Sequence, residues 1–86
     1  MPSVTIYAAS VCPYCAAAER LLQEKGVTGI NKINVDLDSG GRDQLEQKTG
    51  RRTVPQVYIG DYHVGGYDDL ATLEKSGKLG QLLQGG

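Results

Sequence analysis

A chain of 86 residues has room for a single hydrophobic core, and residues 1–86 read as one domain. Nine Lys and Arg stand against ten Asp and Glu, a net charge of −1, which argues against a reader of nucleic-acid phosphates. No segment approaches the roughly 20 apolar residues of a membrane span and no basic leader precedes an apolar run. The expectation is a soluble, cytoplasmic protein with no membrane partner, in a compartment that keeps thiols reduced.

In chain order, SVTIY (Ser3 to Tyr7) alternates Val4 and Ile6 with Thr5 and Tyr7 and is rich in β-branched and aromatic residues, the pattern of a strand. Strong helix formers then predict a helix from about Pro13 to Lys25, with Ala18, Leu21 and Leu22 on one face and Gly26 as its left-handed cap. Ile30 to Val35 alternates Ile33 and Val35 with Lys32 and Asn34, a second strand that breaks at DLDSGG. A second helix is expected over about Arg42 to Thr49, ended by Gly50. Gln56 to Ile59 and Tyr62 to Val64 flank Gly60-Asp61, the signature of a two-residue hairpin. Asp68 to Ser76 reads as a helix with acids in its first turn and Lys75 in its last. Leu79, Leu82 and Leu83 add a short helical turn before a frayed GlyGly tail. The order is β-α-β-α-β-β-α, and a CxxC where the first strand enters the first helix points to an α/β, thioredoxin-like redox domain.

The two cysteines, Cys12 and Cys15, lie in VCPYCAA. With Pro13 at the first helical position, Cys12 becomes the N-cap, and its sulfur faces the unpaired N–H groups of Tyr14 and Cys15 and the positive helix end. Both favour a thiolate, so a lowered Cys12 pKa is expected. Cys15 should be the less exposed sulfur. Positions i and i+3 of a helical turn place the Cα atoms about 5 to 6 Å apart, within disulfide range. A lower pKa raises the thiolate fraction, but with a Brønsted slope of about 0.45 the nucleophilicity falls by a similar factor. The gain lies in Cys12 as a leaving group when a second thiol attacks a mixed disulfide formed on it. Two alternatives carry less weight. A purely structural disulfide closes too short a loop to stabilise much. Zinc wants four ligands, and the chain offers the two cysteines and His63, a histidine that reads as an ordinary surface residue of a strand.

Three motifs, CPYC at Cys12 to Cys15, TVPQV at Thr53 to Val57 and GGYDDL at Gly65 to Leu70, run in the order of the predicted elements. With them the chain resembles, over nearly its whole length, a dithiol glutaredoxin. The resemblance implies a four-stranded mixed sheet flanked by helices. It also implies reduction of protein disulfides and glutathione mixed disulfides, with glutathione as reducing co-substrate and no permanently bound cofactor. Cys12 would be the nucleophile and Cys15 the resolving thiol of a redox-active disulfide.

By the same match, the Val54–Pro55 bond is expected to be cis, and the segment Thr53, Val54, Pro55 presents a backbone edge to the cysteinyl residue of glutathione. Gly66, Tyr67 and Asp68 would hold the γ-glutamyl end, its carboxylate on N–H groups at the helix start and its ammonium on Asp68. Arg42 is the first choice for the glycine carboxylate, with Arg51 and Arg52 second, and Lys48 adding to a positive edge. Tyr14 should wall the side opposite Tyr67. Two positions depart from the family pattern: Ala9, where a cation is common, and Tyr67, where a cysteine is common. Expected partners are glutathione and glutathionylated or disulfide-containing proteins, a reductase such as ribonucleotide reductase among them, met by a monomer. The alternative is a homodimeric carrier of a glutathione-ligated [2Fe–2S] cluster.

Overall fold

The computed structural model describes residues 2–37 and 39–84; the expected frayed tail, Gly85 and Gly86, lies outside them. Four strands, β1 (Val4–Ala8), β2 (Asn31–Asn34), β3 (Gln56–Ile59) and β4 (Tyr62–Gly65), form one sheet in the order β2-β1-β3-β4. β1 and β2 are parallel, with Ile6 beside Lys32, while β1–β3 and β3–β4 are antiparallel, with Ile6 beside Val57 and Tyr58 beside His63. The sheet is therefore mixed. The parallel pair needs a crossover, which α1 (Pro13–Glu24) supplies, and the antiparallel pair needs only Gly60-Asp61, where Gly60 has φ +58°.

Alternation along β1 divides the molecule. Val4, Ile6 and Ala8 are buried on the face covered by α1, α3 (Tyr67–Ser76) and α4 (Lys78–Leu83), joined there by Leu22, Val57, Leu70 and Leu79. Burial of each such leucine contributes roughly 1.5–3 kcal/mol. Thr5 and Tyr7 point to the other face, where α2 (Gly41–Thr49) lays Leu45 near Val35 and Lys48 over the Tyr58 ring. Gly41 is buried in the first turn of α2, and a Cβ there would overlap the Val35 carbonyl, so only glycine lets the helix approach β2 this closely.

The expected elements all form, with ends displaced by a residue or two. β1 runs on to Ala8 because its pairing with β2 continues to Asn34. One expectation fails in β2: Ile33 is more than a third exposed, since β2 is an edge strand and its α2-facing side is only partly covered. Val35, just past the strand, supplies the buried contact there. A shift of register between Val57 and Tyr58 interrupts the β3–β4 ladder and carries the chain through Gly65 (φ +110°) into α3.

Candidate active site

Pro13 occupies the first turn of α1 and Cys12 the N-cap, in an extended conformation (φ −152°, ψ 96°). The Cys15 N–H donates to Cys12 Sγ at 3.1 Å. The sulfur thus takes the place that a capping oxygen normally fills. Cys12 and Cys15 are joined in a disulfide with Cα atoms 5.2 Å apart. Cys15 is buried, at 3% exposure, and Cys12 is half-buried, so Cys12 presents the approachable sulfur. Val11 and Tyr14 on either side are strongly exposed.

Beside this helix start lies a cleft of about 330 Å³, within the usual range for a small ligand. Thr53, Val54 and Pro55 form one wall, and the Val54–Pro55 peptide is cis. Gly66, Tyr67 and Asp68, at the start of α3, form another, and Tyr14 brings the cleft to α1. Tyr14 and Tyr67 meet, with ring centroids 6.0 Å apart, so the two tyrosines make a common wall; the expectation of opposing walls does not hold. Tyr14 leans onto α3 because its neighbour on that side is aromatic.

The acids of GGYDDL divide their work. Asp69 accepts the Gly66 N–H at 2.9 Å, capping α3 from its third position. Gly65 makes this contact feasible, since a Cβ there would overlap the Asp69 carboxylate. Asp68, exposed, is left facing the cleft. The Gly66 N–H, and after it the Arg51 guanidinium, hold the Asp69 carboxyl below the ordinary carboxylate value.

The three arginines also separate. Arg42 does not line the cleft: its Nε and Nη2 donate to the two oxygens of Asp36 at 2.9 and 3.1 Å, and its Nη1 to the Arg52 carbonyl at 2.8 Å. Asp36 is correspondingly held low and Arg42 raised. Arg52 turns back to Asp43 and Glu46 on α2, at 2.7 and 3.2 Å. Only Arg51 of the three reaches the cleft, with Nη1 on Asp69 at 3.0 Å. Sequence ranked Arg42 first because spacing to Thr53 carries no information about a competing acid on the β2–α2 loop. Arg51 was readable as a neighbour of TVP, and Asp69 as the third residue of a helix behind glycine.

The end of β2 reaches the segment that precedes the cysteines. Asn34 Nδ2 donates to Ser10 Oγ at 2.8 Å, and Asn34 Oδ1 accepts the Asp36 N–H at 2.9 Å. Ser10, Asn34, Asp36, Arg42 and the Arg52 carbonyl thereby link the segment before Cys12 to the segment before Thr53.

His63 corrects a further expectation. It is half-buried, its ring stacked on Tyr58 at 4.9 Å and 18°, and its Nε2 lies 2.8 Å from Gln56 Oε1. Burial first, and then the Arg51 charge, push His63 below its ordinary value, against a smaller pull from Asp69. A polar strand residue opposite Tyr58 looked like surface because its diagonal partner Gln56, on the same face of β3, is buried by packing that the hydrophobic pattern does not show.

The glutaredoxin family model matches residues 4–64. A glutaredoxin of Pseudomonas aeruginosa is 51% identical over 83 residues, covering 96% of this chain and 98% of that protein. The solution structure of glutaredoxin from Brucella melitensis superposes with a TM-score of 0.83 at 46% identity, covering 96% of this chain and 89% of the other. A crystal structure of a buckwheat glutaredoxin–glutathione complex gives a TM-score of 0.87 at 32% identity, covering 96% and 77%.

Proposed function

Because this chain belongs to the glutaredoxin family of thiol–disulfide oxidoreductases, we propose that it uses glutathione to reduce glutathione mixed disulfides and protein disulfides through Cys12. The observation that carries this reading is the juxtaposition of a redox disulfide, its more accessible cysteine at a helix N-terminus, with a cleft walled by Thr53–Pro55 and the start of α3. A relative seen with glutathione supports the choice of ligand.

In the reduced enzyme the Cys15 N–H and the α1 terminus favour a Cys12 thiolate. That thiolate attacks the glutathione sulfur of a mixed disulfide. A new S–S bond joins glutathione to Cys12, and the other thiolate leaves and takes up a proton. A second glutathione thiolate then attacks the bound glutathione sulfur, Cys12 departs as a thiolate, and oxidised glutathione is released. For protein disulfides, Cys12 forms the mixed disulfide with the protein and Cys15 attacks Cys12, leaving the Cys12–Cys15 disulfide for glutathione to reduce.

The tripeptide lies along Val54, whose backbone pairs with the cysteinyl unit. Its γ-glutamyl carboxylate meets the N–H groups at Tyr67 and Asp68, and its ammonium meets the Asp68 side chain. Gly66 lets it approach, Tyr14 and Tyr67 cover it, and Pro55 backs the Val54 edge. Arg51 is the cation on the cleft, with donors beyond the one on Asp69, and takes the glycine carboxylate. Arg42 acts one step back, by holding the Arg52 carbonyl next to Thr53. We place the protein as a cytoplasmic monomer without a resident cofactor, serving glutathionylated proteins and disulfide-forming reductases.

A coupled assay with glutathione, glutathione reductase and a glutathionylated small thiol tests the reading. Wild type should turn over and Cys12→Ser should not; turnover retained in Cys12→Ser would sink the mechanism.

A further inference from the structure

Gln56 is the one buried polar side chain among the described core residues, fully out of solvent in the middle strand next to β1. A leucine would fill such a position without needing partners, whereas a buried amide must have every polar atom satisfied. All of its contacts go to two residues. Its Nε2 donates to the Thr53 carbonyl at 3.1 Å and to Thr53 Oγ1 at 3.3 Å, and its Oε1 meets His63 Nε2 at 2.8 Å.

These contacts fix orientations. A carbonyl only accepts, so the Gln56 amide must turn its nitrogen to Thr53 and its oxygen to His63. His63 must then carry a proton on Nε2, whether the ring is neutral or charged. Thr53 Oγ1 accepts from Gln56, which leaves the hydroxyl proton to donate on the cleft side. The His63 ring is in turn held by Tyr58, which sits against Tyr7 and beneath Lys48.

We infer that Gln56 and His63 are positioning residues that pin the Thr53–Pro55 wall of the cleft, with His63 orienting the Gln56 amide and Gln56 tying back the Thr53 carbonyl and hydroxyl. This rests on the reading of that cleft as the glutathione site. The pin spans the two residues between Thr53 and Gln56 from the inner side, while Arg42 holds the Arg52 carbonyl from the outer side. Neither side chain lines the cleft, so their effect falls on the geometry of its wall.

Wild type, Gln56→Leu, His63→Leu and His63→Gln are compared in the glutathione-coupled assay, with KM for glutathione and kcat measured separately. Gln56→Leu should raise KM about ten-fold with kcat within about two-fold, because a displaced wall weakens recognition more than the sulfur chemistry. His63→Leu should raise KM less, and His63→Gln, which keeps an N–H for Gln56, should recover most of that loss. A merely structural role lowers the folded fraction, which reduces kcat and leaves KM alone; that pattern, or an unchanged KM in Gln56→Leu, overturns the inference. If Gln56→Leu does not fold, the half-buried His63 pair decides, and an unchanged KM in His63→Leu overturns it. Nitrogen-15 correlation spectra of the wild-type His63 ring should show the Nε2–H form when neutral, and the Nδ1–H form would break the relay. If wild type has no glutathione-dependent turnover, the reading of the site fails and the inference with it. If wild type is active and Gln56→Leu matches it, only the inference fails.

Discussion

Cys12 and Pro13 show how one pair of neighbours can set up a reactive group. Proline costs nothing at the first helical position, and it makes the preceding residue the cap, so the sulfur receives the Cys15 N–H. That N–H and the helix end are favourable to a thiolate at Cys12, where Ala9 brings no charge. The arginines differ in the same local way, by what else each one holds. Arg51→Ala removes the cation on the cleft and should raise the glutathione KM by about three- to ten-fold, as expected for a lost charge-assisted contact. Arg42→Ala should raise it less, since it acts through the Arg52 carbonyl, and should also lower the urea midpoint by freeing Asp36. Steady-state kinetics on the two variants check the order; a larger effect at Arg42 would return that residue to the ligand. The hairpin at Gly60 was legible in the sequence because glycine marks such a turn directly, whereas the cis Val54–Pro55 bond was legible only through the family resemblance. The partners of Arg42, Gln56 and His63 were not legible, because side-chain hydrogen bonds across loops and between neighbouring strands leave no periodic signal in the sequence.

At the scale of elements, the start of α3 is the most constrained part of the site. Gly65 holds a φ of +110° and yields its side-chain space to the Asp69 carboxylate, which caps Gly66. Gly65→Ala should cost about 1–3 kcal/mol in urea denaturation, from the strained φ and the displaced cap. An unchanged midpoint would contradict the close approach. The Asp69 carboxyl is held below its unfolded value of about 3.9. Its charge therefore supports the fold above that value, and the support is lost as pH falls through the folded-state pKa. Asp69→Asn keeps an acceptor for the Gly66 N–H but cannot ionise, so the stability gap to wild type should be full near neutral pH and close as pH falls through the lowered folded-state pKa of Asp69. Denaturation curves at several pH values measure it, and a gap independent of pH would remove the charge from the account. Helix formers and a glycine behind each located α1, α2 and α3 to within a residue or two; α1 and α3 also carry an apolar stripe, whereas α2 offers Leu45 alone. The edge position of β2 was hidden, because alternation in Ile30 to Val35 does not reveal how much of each face the helices cover.

For the molecule as a whole, the sheet order places the ends of three segments at one edge of the same cleft. The starts of α1 and α3 and the turn into β3 meet there, although Tyr14 and Asp69, at the extremes of the site, lie more than fifty residues apart in the chain. Charge follows this plan. The helix termini and Arg51 give the cleft a positive tendency suited to carboxylates, and Asp68 is the exposed acid on its wall. Of the two disulfide cysteines Cys15 is buried and Cys12 half-buried, an asymmetry that in the proposed mechanism separates the work of the two. That separation is the central claim, and replacing only the buried sulfur tests it. Cys15→Ser, measured against both a glutathionylated small thiol and a protein disulfide, should keep the first activity within a few-fold of wild type and lose the second. Loss of the small-thiol reaction in Cys15→Ser would contradict the account, because it would mean that Cys12 cannot complete the glutathione cycle alone.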